Sequence, residues 1–287
     1  MQVEVVLVGM EEPIGFSVSL DPWFQIENGN VHIDQDNVTG TVVKSVIPAS
    51  SCNGSCIPSL FKNWGLLSYR NGIVNVNEDG GELGDDVWEV QTGHSPALTD
   101  TGDVSLMFGF DYWFNKLEAY AVTGADISTG DTYYYRDSDT RIGGGDWLDI
   151  SSPKVLLVDG NVTIEDDITI VNGGAVMVVA RGKITVARTG TSASLTQVHG
   201  FYFAEEIETL GGNGTFSDRD VPLVVEGGFI AAGDIDLNRD LAVHAGLSNL
   251  NTPAETFIYR TDIVHVLRGL DELKSFDYLM REVAPEL

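Results

Sequence analysis

The chain has 287 residues, 43% of them hydrophobic, with 32 Gly and 9 Pro, a composition of folded, turn-rich protein and not of a disordered one. Its 43 acidic against 16 basic residues give a net charge of −27, a field that repels nucleic-acid phosphates and anionic lipid surfaces. No apolar run approaches the roughly 18 residues needed to cross a bilayer, so nucleic acid is not an expected partner and no membrane span is expected.

An acid excess of this size has three readings: a solubilising surface, adaptation to high salt, or carboxylate clusters that take Ca²⁺. The residue count does not separate them. The opening stretch MQVEVVLVGMEE has no basic region and carries Glu4 inside its apolar run, so it is not a secretory signal. The protein is either cytoplasmic or has had a leader removed.

In chain order, Val3 to Val8 and Phe16 to Leu20 read as strands joined through Pro13 and Gly15. The phrase Gly29-Asn30-Val31-His32-Ile33-Asp34 comes next, and it matches Gly160-Asn161-Val162-Thr163-Ile164-Glu165. If the two share a role, they stack as adjacent parallel strands, with His32 beside Thr163, and residues 41–153 form an insertion between neighbouring coils. Within that insertion Cys52 and Cys56 flank Gly54. Two cysteines closing a Gly-containing turn favour a small disulfide and an oxidising compartment, with free thiols or half of a metal site as alternatives. The run WGLLSYRNGIVNV, with Asn71-Gly72 between alternating residues, reads as a hairpin. In Phe110 to Ala121 the apolar positions Phe110, Trp113, Phe114, Leu117, Tyr120 and Ala121 define a helix face that Asp111 would cap. Residues 128–147 are polar and Gly-rich, a loop or hairpin leading into the main coils.

From Lys154 to Leu241 one short phrase is written four times: VLLVDGNVTI, VMVVARGKITV, GFYFAEEIET and GGFIAAGDIDL. Taking Val162, Ile184, Ile207 and Ile235 as equivalent gives steps of 22, 23 and 28 residues, the last with room for a loop. Each copy is an apolar run, a bend, then alternation that puts every second side chain on one face. One copy cannot bury that face alone, so copies stack as parallel strands about 4.8 Å apart. Past Leu241 the apolar residues Ile263, Val266, Leu267, Leu270, Leu273, Phe276 and Met280 fall at helical steps, with an interruption near Gly269. A helical element there would cap an open solenoid end. The expected fold is mainly β, a parallel β-solenoid (β-helix) with an inserted α/β subdomain and a helical C-terminal cap. Its divisions are 1–40 (strands and first coil), 41–153 (insertion), 154–243 (coils) and 244–287 (cap).

The phrases DPWFQIENGNVH, the Cys52 and Cys56 turn, VLLVDGNVTI, GFYFAEE, LVVEGGFIAAGDIDLNRDL, NTPAETFIYR and MREVAP occur in this order. With them the chain resembles uncharacterised cell-envelope or extracellular β-solenoid proteins, some of them pilin-like, of uncultured small-genome bacteria. The resemblance implies a surface-exposed solenoid with no assigned chemistry, and therefore no catalytic residues to carry over.

No G-x-S-x-G, P-loop or dinucleotide fingerprint is present, and His32, His94, His199, His244 and His265 suggest no triad. Asn75-x-Asn77-x-Asp79-Gly80, with Asp86 at the twelfth position, matches calcium-loop spacing. Asn at position one, Asp at position twelve and no flanking helices make a plain acidic loop the better reading, so no cofactor is required and calcium is the one candidate ion. For an enzyme, Glu165, Asp166, Asp167, Glu205, Glu206, Asp234 and Asp236 are the carboxylates to consider, since two carboxyls about 5 to 9 Å apart suffice for glycoside hydrolysis. The leading expectation is a non-enzymatic surface or appendage-associated structural or adhesive protein, extracellular or in the cell envelope, that self-associates or meets a glycan or cell-surface partner. A carbohydrate-active β-helix enzyme, a hydrolase or lyase, and a cytoplasmic scaffold polymer with free thiols are the alternatives.

Overall fold

The computed structural model describes residues 24–33, 41–44, 61–69, 73–75, 86–90, 110–124, 130–188, 195–212, 220–231, 235–241, 243–244, 247–248 and 252–273. The early strands are β1 (Phe24–Ile33), β2 (Thr41–Lys44), β3 (Phe61–Tyr69), β4 (Ile73–Asn75) and β5 (Asp86–Val90). After helix α1 (Phe110–Leu117) come β6 (Val122–Thr123), β7 (Tyr133–Arg136), β8 (Thr140–Ile142), β9 (Pro153–Val158) and β10 (Val162–Ile164). The next strands are β11 (Ala175–Ala180), β12 (Lys183–Val186), β13 (Gln197–Ala204), β14 (Glu206–Thr209), β15 (Leu223–Ala231) and β16 (Ile235–Leu237). The described chain ends through β17 (Val243–His244), β18 (Leu247–Ser248), β19 (Glu255–Ile258), helix α2 (Thr261–Arg268) and a 3₁₀ turn at Asp271–Leu273.

The protein is a parallel β-solenoid. A ten-stranded sheet runs β5-β3-β1-β19-β15-β13-β11-β9-β7-β6 and a five-stranded sheet runs β16-β14-β12-β10-β8. From β7 to β16 each coil gives one strand to each sheet, which makes four turns from the first pair to the fifth. Val162 pairs in register with Ile184, Ile184 with Ile207, and Ile207 with Ile235, the equivalence read from the repeat. One coil lies outside that reading: Tyr134 pairs with Leu156 and Thr140 with Val162, so YYYRDSDTRI is a coil and not a lead-in loop. Its Ser138-Asp139-Thr140 replaces the Gly-Asn-Val that marks the next copy, which hides the step of 22.

The bends repeat because each is held by the bend below. The Asp139 carboxylate accepts the Asn161 backbone N–H at 2.8 Å and its amide at 3.2 Å, and Asn161 Oδ1 in turn accepts the Lys183 N–H at 2.9 Å. Gly182 makes room for this, since a Cβ there would lie 2.3 Å from Asn161 Oδ1. In the middle of β13 and β15 two glycines stack, Gly200 on Gly227, with φ of 127° and 140°. A Cβ on Gly227 would meet the Gly200 carbonyl at 1.9 Å, so side chains are excluded by both φ and space.

In the ten-stranded sheet the middle strands are buried on both faces. Leu156, Val158, Val178 and Tyr202 point into the lumen against Ile164, Ile184, Val186 and Ile207, while Leu157, Met177, Val179, Phe201 and Phe203 alternate outward. Two helices cover that outer face. On α1, Trp113 and Leu117 are 0% exposed, Trp113 meets Phe203 at 5.7 Å between ring centroids and Phe114 meets Tyr135 at 5.1 Å. Asp111 does not close the helix end as a cap; it sits in the first turn and pairs with Arg181 Nη1 at 2.7 Å. The Arg181 guanidinium lies over Phe110 at 4.4 Å and also binds Asp159.

The expected C-terminal helix is present as α2, ending at Gly269, whose N–H donates to the His265 and Val266 carbonyls. It buries Ile263, Val264 and Leu267 over β11, so it covers a face of the sheet and not an end of the stack.

The early phrase is the larger correction. Gly29 to Ile33 do not stack beside residues 160–164: β1 lies between β19 and β3, with Phe24 opposite Glu255, Gly29 opposite Gly65 and His32 opposite Ser68. The phrase runs straight through as strand in β1, whereas Gly160-Asn161 is a bend. Asn161 is held in its bend by Asp139; the residue opposite Asn30 is Leu66, which supplies no such acceptor. Strands β3 and β5 extend the same sheet beyond β1, and β2 pairs in parallel with β4.

Candidate functional site

The described carboxylates that the sequence offers for catalysis lie at the bend after β10, around β14 and in β16, and the fold engages most of them between coils. Glu165 pairs with Arg141. Asp166 Oδ2 accepts the Gly144 N–H at 2.6 Å. Asp167 Oδ1 accepts the N–H groups of Thr196 and Gln197 at 2.7 and 3.0 Å. Three consecutive acids thus reach three different neighbours. Glu206 lies 3.8 Å from Lys183, which also pairs with Glu208 and whose pKa is raised, first by the Glu208 hydrogen bond. Glu205 and Asp236 are exposed. Asp234 lies outside the described residues.

The calcium-like loop is met only at its edges: Asn75 ends β4 and Asp86 begins β5, while Asn77 and Asp79 lie outside the described residues, as do Cys52 and Cys56. Among the described residues no group of three or more His, Cys, Asp or Glu side chains is placed to hold a metal ion.

The concentrated chemistry is instead a buried charged corner to which no motif in the sequence points. Arg239, just after β16, is 0% exposed. Its Nη1 donates to the Leu195 and Val221 carbonyls at 2.9 and 3.1 Å and its Nη2 to Ala187 at 3.0 Å, so one side chain ties the corners of three coils. Glu255, 2% exposed at the start of β19, accepts from Thr209 Oγ1 and the Arg239 N–H. Burial pushes its carboxyl up to about 7, against the lowering pull of those bonds and of the Arg239 charge. Asp220, 4% exposed, accepts the Gly212 and Asp240 N–H groups at 2.8 and 2.7 Å and meets Arg188 Nε at 2.5 Å. Isolated charges in NRDL and PAETF carry no periodic signal, and single acids in a chain of this charge read as solvated.

A second cluster sits beside it on the large sheet. His199 Nδ1 accepts the Ile170 N–H at 3.2 Å and lies 3.7 Å from Glu226. Burial lowers the His199 pKa, so at neutral pH the ring is uncharged with its proton on Nε2. Arg260 clamps Glu226 and Asp262, and holds the Asp262 carboxyl below its ordinary range. His265 is exposed on α2. The side chains of His32 and His244 and the whole of His94 lie outside the described residues.

A cavity of about 120 Å³ opens at the β7–β8 end of the lumen, lined by Tyr134, Arg136, Arg141, Asp146, Trp147 and Leu156 among others. It is well below the roughly 300 Å³ at which small-molecule sites begin. No family model matches the chain, and neither a curated protein nor a solved structure matches it.

Proposed function

We propose that the protein is a non-enzymatic structural or adhesive scaffold, displayed at the cell surface or on an appendage, whose working part is the solenoid itself. One observation carries the reading: most of the acids that would serve catalysis are used to tie coils together, Glu165 to Arg141, Asp166 to Gly144 and Asp167 to Thr196 and Gln197. A general acid and base must meet one substrate in one cleft; here Glu165 and Asp166 are already bound to the coil of β8 and Asp167 to the coil of β13. The small cavity at the lumen mouth supports the same conclusion.

The test is a glycan array run in parallel with hydrolase and lyase screens on polysaccharides, and surface proteolysis of intact expressing cells. The expected outcome is binding or no binding without turnover, and loss of the protein to external protease. Turnover of a polysaccharide would overturn the reading in favour of the carbohydrate-active enzyme. Full protection from protease together with alkylatable thiols at Cys52 and Cys56 would favour the cytoplasmic scaffold.

A further inference from the structure

Strand neighbours in the large sheet keep chain order from β6 to β19 and again from β1 to β5, and the two series meet where β19 pairs with β1. The order in space is a circular permutation of the order in sequence. Among the described strands the first, β1, lies inside the stack, with β3 and β5 following outward from it, and then α1 appears over β9 and β11. From there the coils walk back until β19 closes against β1.

The joining seam is four register pairs long. It consists of Phe24, Gln25, Ile26 and Glu27 opposite Glu255, Thr256, Phe257 and Ile258. The Tyr259 N–H adds a bond to the Glu27 carbonyl at 3.1 Å, and Phe24 meets Phe257 edge to face at 6.4 Å. Ile26 is buried there. β15 and β19 also pair over four positions and β13 and β15 over eight, but those strands belong to successive coils of the chain, whereas β1 and β19 come from its two ends.

We propose that this seam is an exchange interface: β1, with β3 and β5 behind it, docks on β19 of a second copy as it docks on its own, joining copies head to tail by strand addition. Backbone hydrogen bonds and the Phe24, Ile26 and Phe257 packing are identical whichever chain supplies β1, so the fit to this partner is already present in the fold. The only covalent tie between the two bodies is residues 91–109. Its nineteen residues reach roughly 65 Å when extended, whereas the six strand spacings from β5 to β11 amount to about 29 Å, so the tie does not force closure within one copy. Closure within one copy is still favoured at low concentration, because it is an intramolecular step and exchange is not. Exchange therefore grows with protein concentration during folding. Because each copy gives β1 in one direction and receives on β19 in the other, the contact is heterologous and propagates unless its rotation closes a ring. This deepens the scaffold reading by naming a second copy as its partner, and rests on that reading only for what assembly would serve.

The experiment uses the full chain with Cys52→Ser and Cys56→Ser. Gln25→Cys in one preparation and Thr256→Cys in another are mixed, co-refolded over a range of concentrations and mildly oxidised. Exchange brings these register partners within about 5 Å at Cα, inside disulfide reach. The expected result is a covalent heterodimer that rises with concentration and exceeds by about five-fold the yield from Gln25→Cys mixed with Thr163→Cys. The doubly substituted chain is expected to close within one copy when dilute and to form covalent ladders when concentrated. Glu27→Cys with Ile258→Cys repeats the test on a second register pair, should the first disturb folding. Heterodimer no more abundant than the control at any concentration, with the dilute double variant closing normally, overturns exchange. A double variant that never closes overturns the seam itself. Neither result bears on the turnover screen that tests the scaffold reading.

Discussion

The two sheets of the solenoid obey different sequence rules on the same turn of chain. Strands β9, β11 and β13 are buried on both faces and read as nearly continuous apolar runs, VLLV, AVMVVA and VHGFYFA, with His199 the exception. Strands β10, β12 and β14 keep a buried and a solvated face and alternate, as VTI, KITV and EIET do. Parallel strands buried on both sides admit polar residues only where a hydrogen bond meets them, as at Lys154 and His199, whereas one-sided strands carry them at every second position. What separates the sheets is therefore not strand geometry but a cover: α1 and α2 lie on one and water lies on the other. That difference can be broken from the cover, from the corner where the sheets join, and from the exposed face.

The largest expected effect is at the cover. Trp113 is fully buried between α1 and the outward side chains of the large sheet, touching Phe203. Trp113→Ala removes the ring and leaves a hole that α1 cannot collapse into, and is expected to cost about 3–5 kcal/mol in urea or thermal unfolding. A cost below about 1 kcal/mol would mean that the large sheet does not depend on its cover, and the contrast between the sheets would need another cause.

Next is the corner. Arg239→Met keeps the volume and removes the donors that hold the Ala187, Leu195 and Val221 carbonyls. It also strips the positive charge beside Glu255 and Asp220, and the expected loss is about 3 kcal/mol or more. Hydrogen exchange should then quicken at the bends that those three carbonyls fix before it does in the middle of β11. Uniform acceleration over both sheets would show that Arg239 acts on global stability alone.

The same corner makes stability depend on pH, and two groups pull in opposite directions. Burial raises the folded Glu255 carboxyl to about 7 from 4.5, so between those values the folded chain holds a proton that the unfolded chain releases. Stability therefore falls as pH rises through that window, by an amount on the order of 3 kcal/mol as an upper bound. Glu255→Gln is expected to flatten the fall and to raise Tm at pH 8 relative to the parent. His199 is lowered, chiefly by burial, with Glu226 opposing and Arg260 adding to the shift. Below an ordinary pKa of about 6.5 the unfolded imidazole takes a proton that the folded one resists, so this group costs stability as pH falls. His199→Asn keeps an acceptor for the Ile170 N–H and should soften the acid limb only. If both substitutions leave the pH profile of Tm unchanged, the two groups titrate alike in folded and unfolded chains.

Legibility in the sequence divides along the same line. The alternation of the small sheet, at Val162, Ile184, Ile207 and Ile235, gives the register residue for residue, because a face that meets water writes a period of two into the sequence. The coil at Tyr133 to Ile142 escapes because it carries Asp139 and Thr140 where the next has Asn161 and Val162, although Asp139 does the same work of binding the bend above it. The placement of β1 is not legible: Gly-Asn-Val-x-Ile encodes a strand and a bend, but which strand lies alongside depends on contacts between ends of the chain far apart in sequence. Arg239 and Glu255 are invisible for another reason. A single buried charge satisfied by backbone carbonyls and one hydroxyl has no spacing, so only the folded chain distinguishes it from the many acids and bases that face water.

The smallest expected effect tests the exposed face. Thr163 and Thr185 are register neighbours in β10 and β12, both half-buried and both directed away from the lumen. Thr185→Val exchanges one β-branched side chain for another at a half-buried position on the outer face, and is expected to change stability by no more than about 0.5 kcal/mol. One step back along the same strand, Ile184 is 0% exposed and faces the lumen, and Ile184→Thr places a hydroxyl there without a partner, at a cost of about 2 kcal/mol or more. The ratio of the two measures how one-sided the small sheet is. If Thr185→Val were as costly as Ile184→Thr, the outer face would be engaged in solution by something that covers it, and a second copy of the chain would be the first partner to test there.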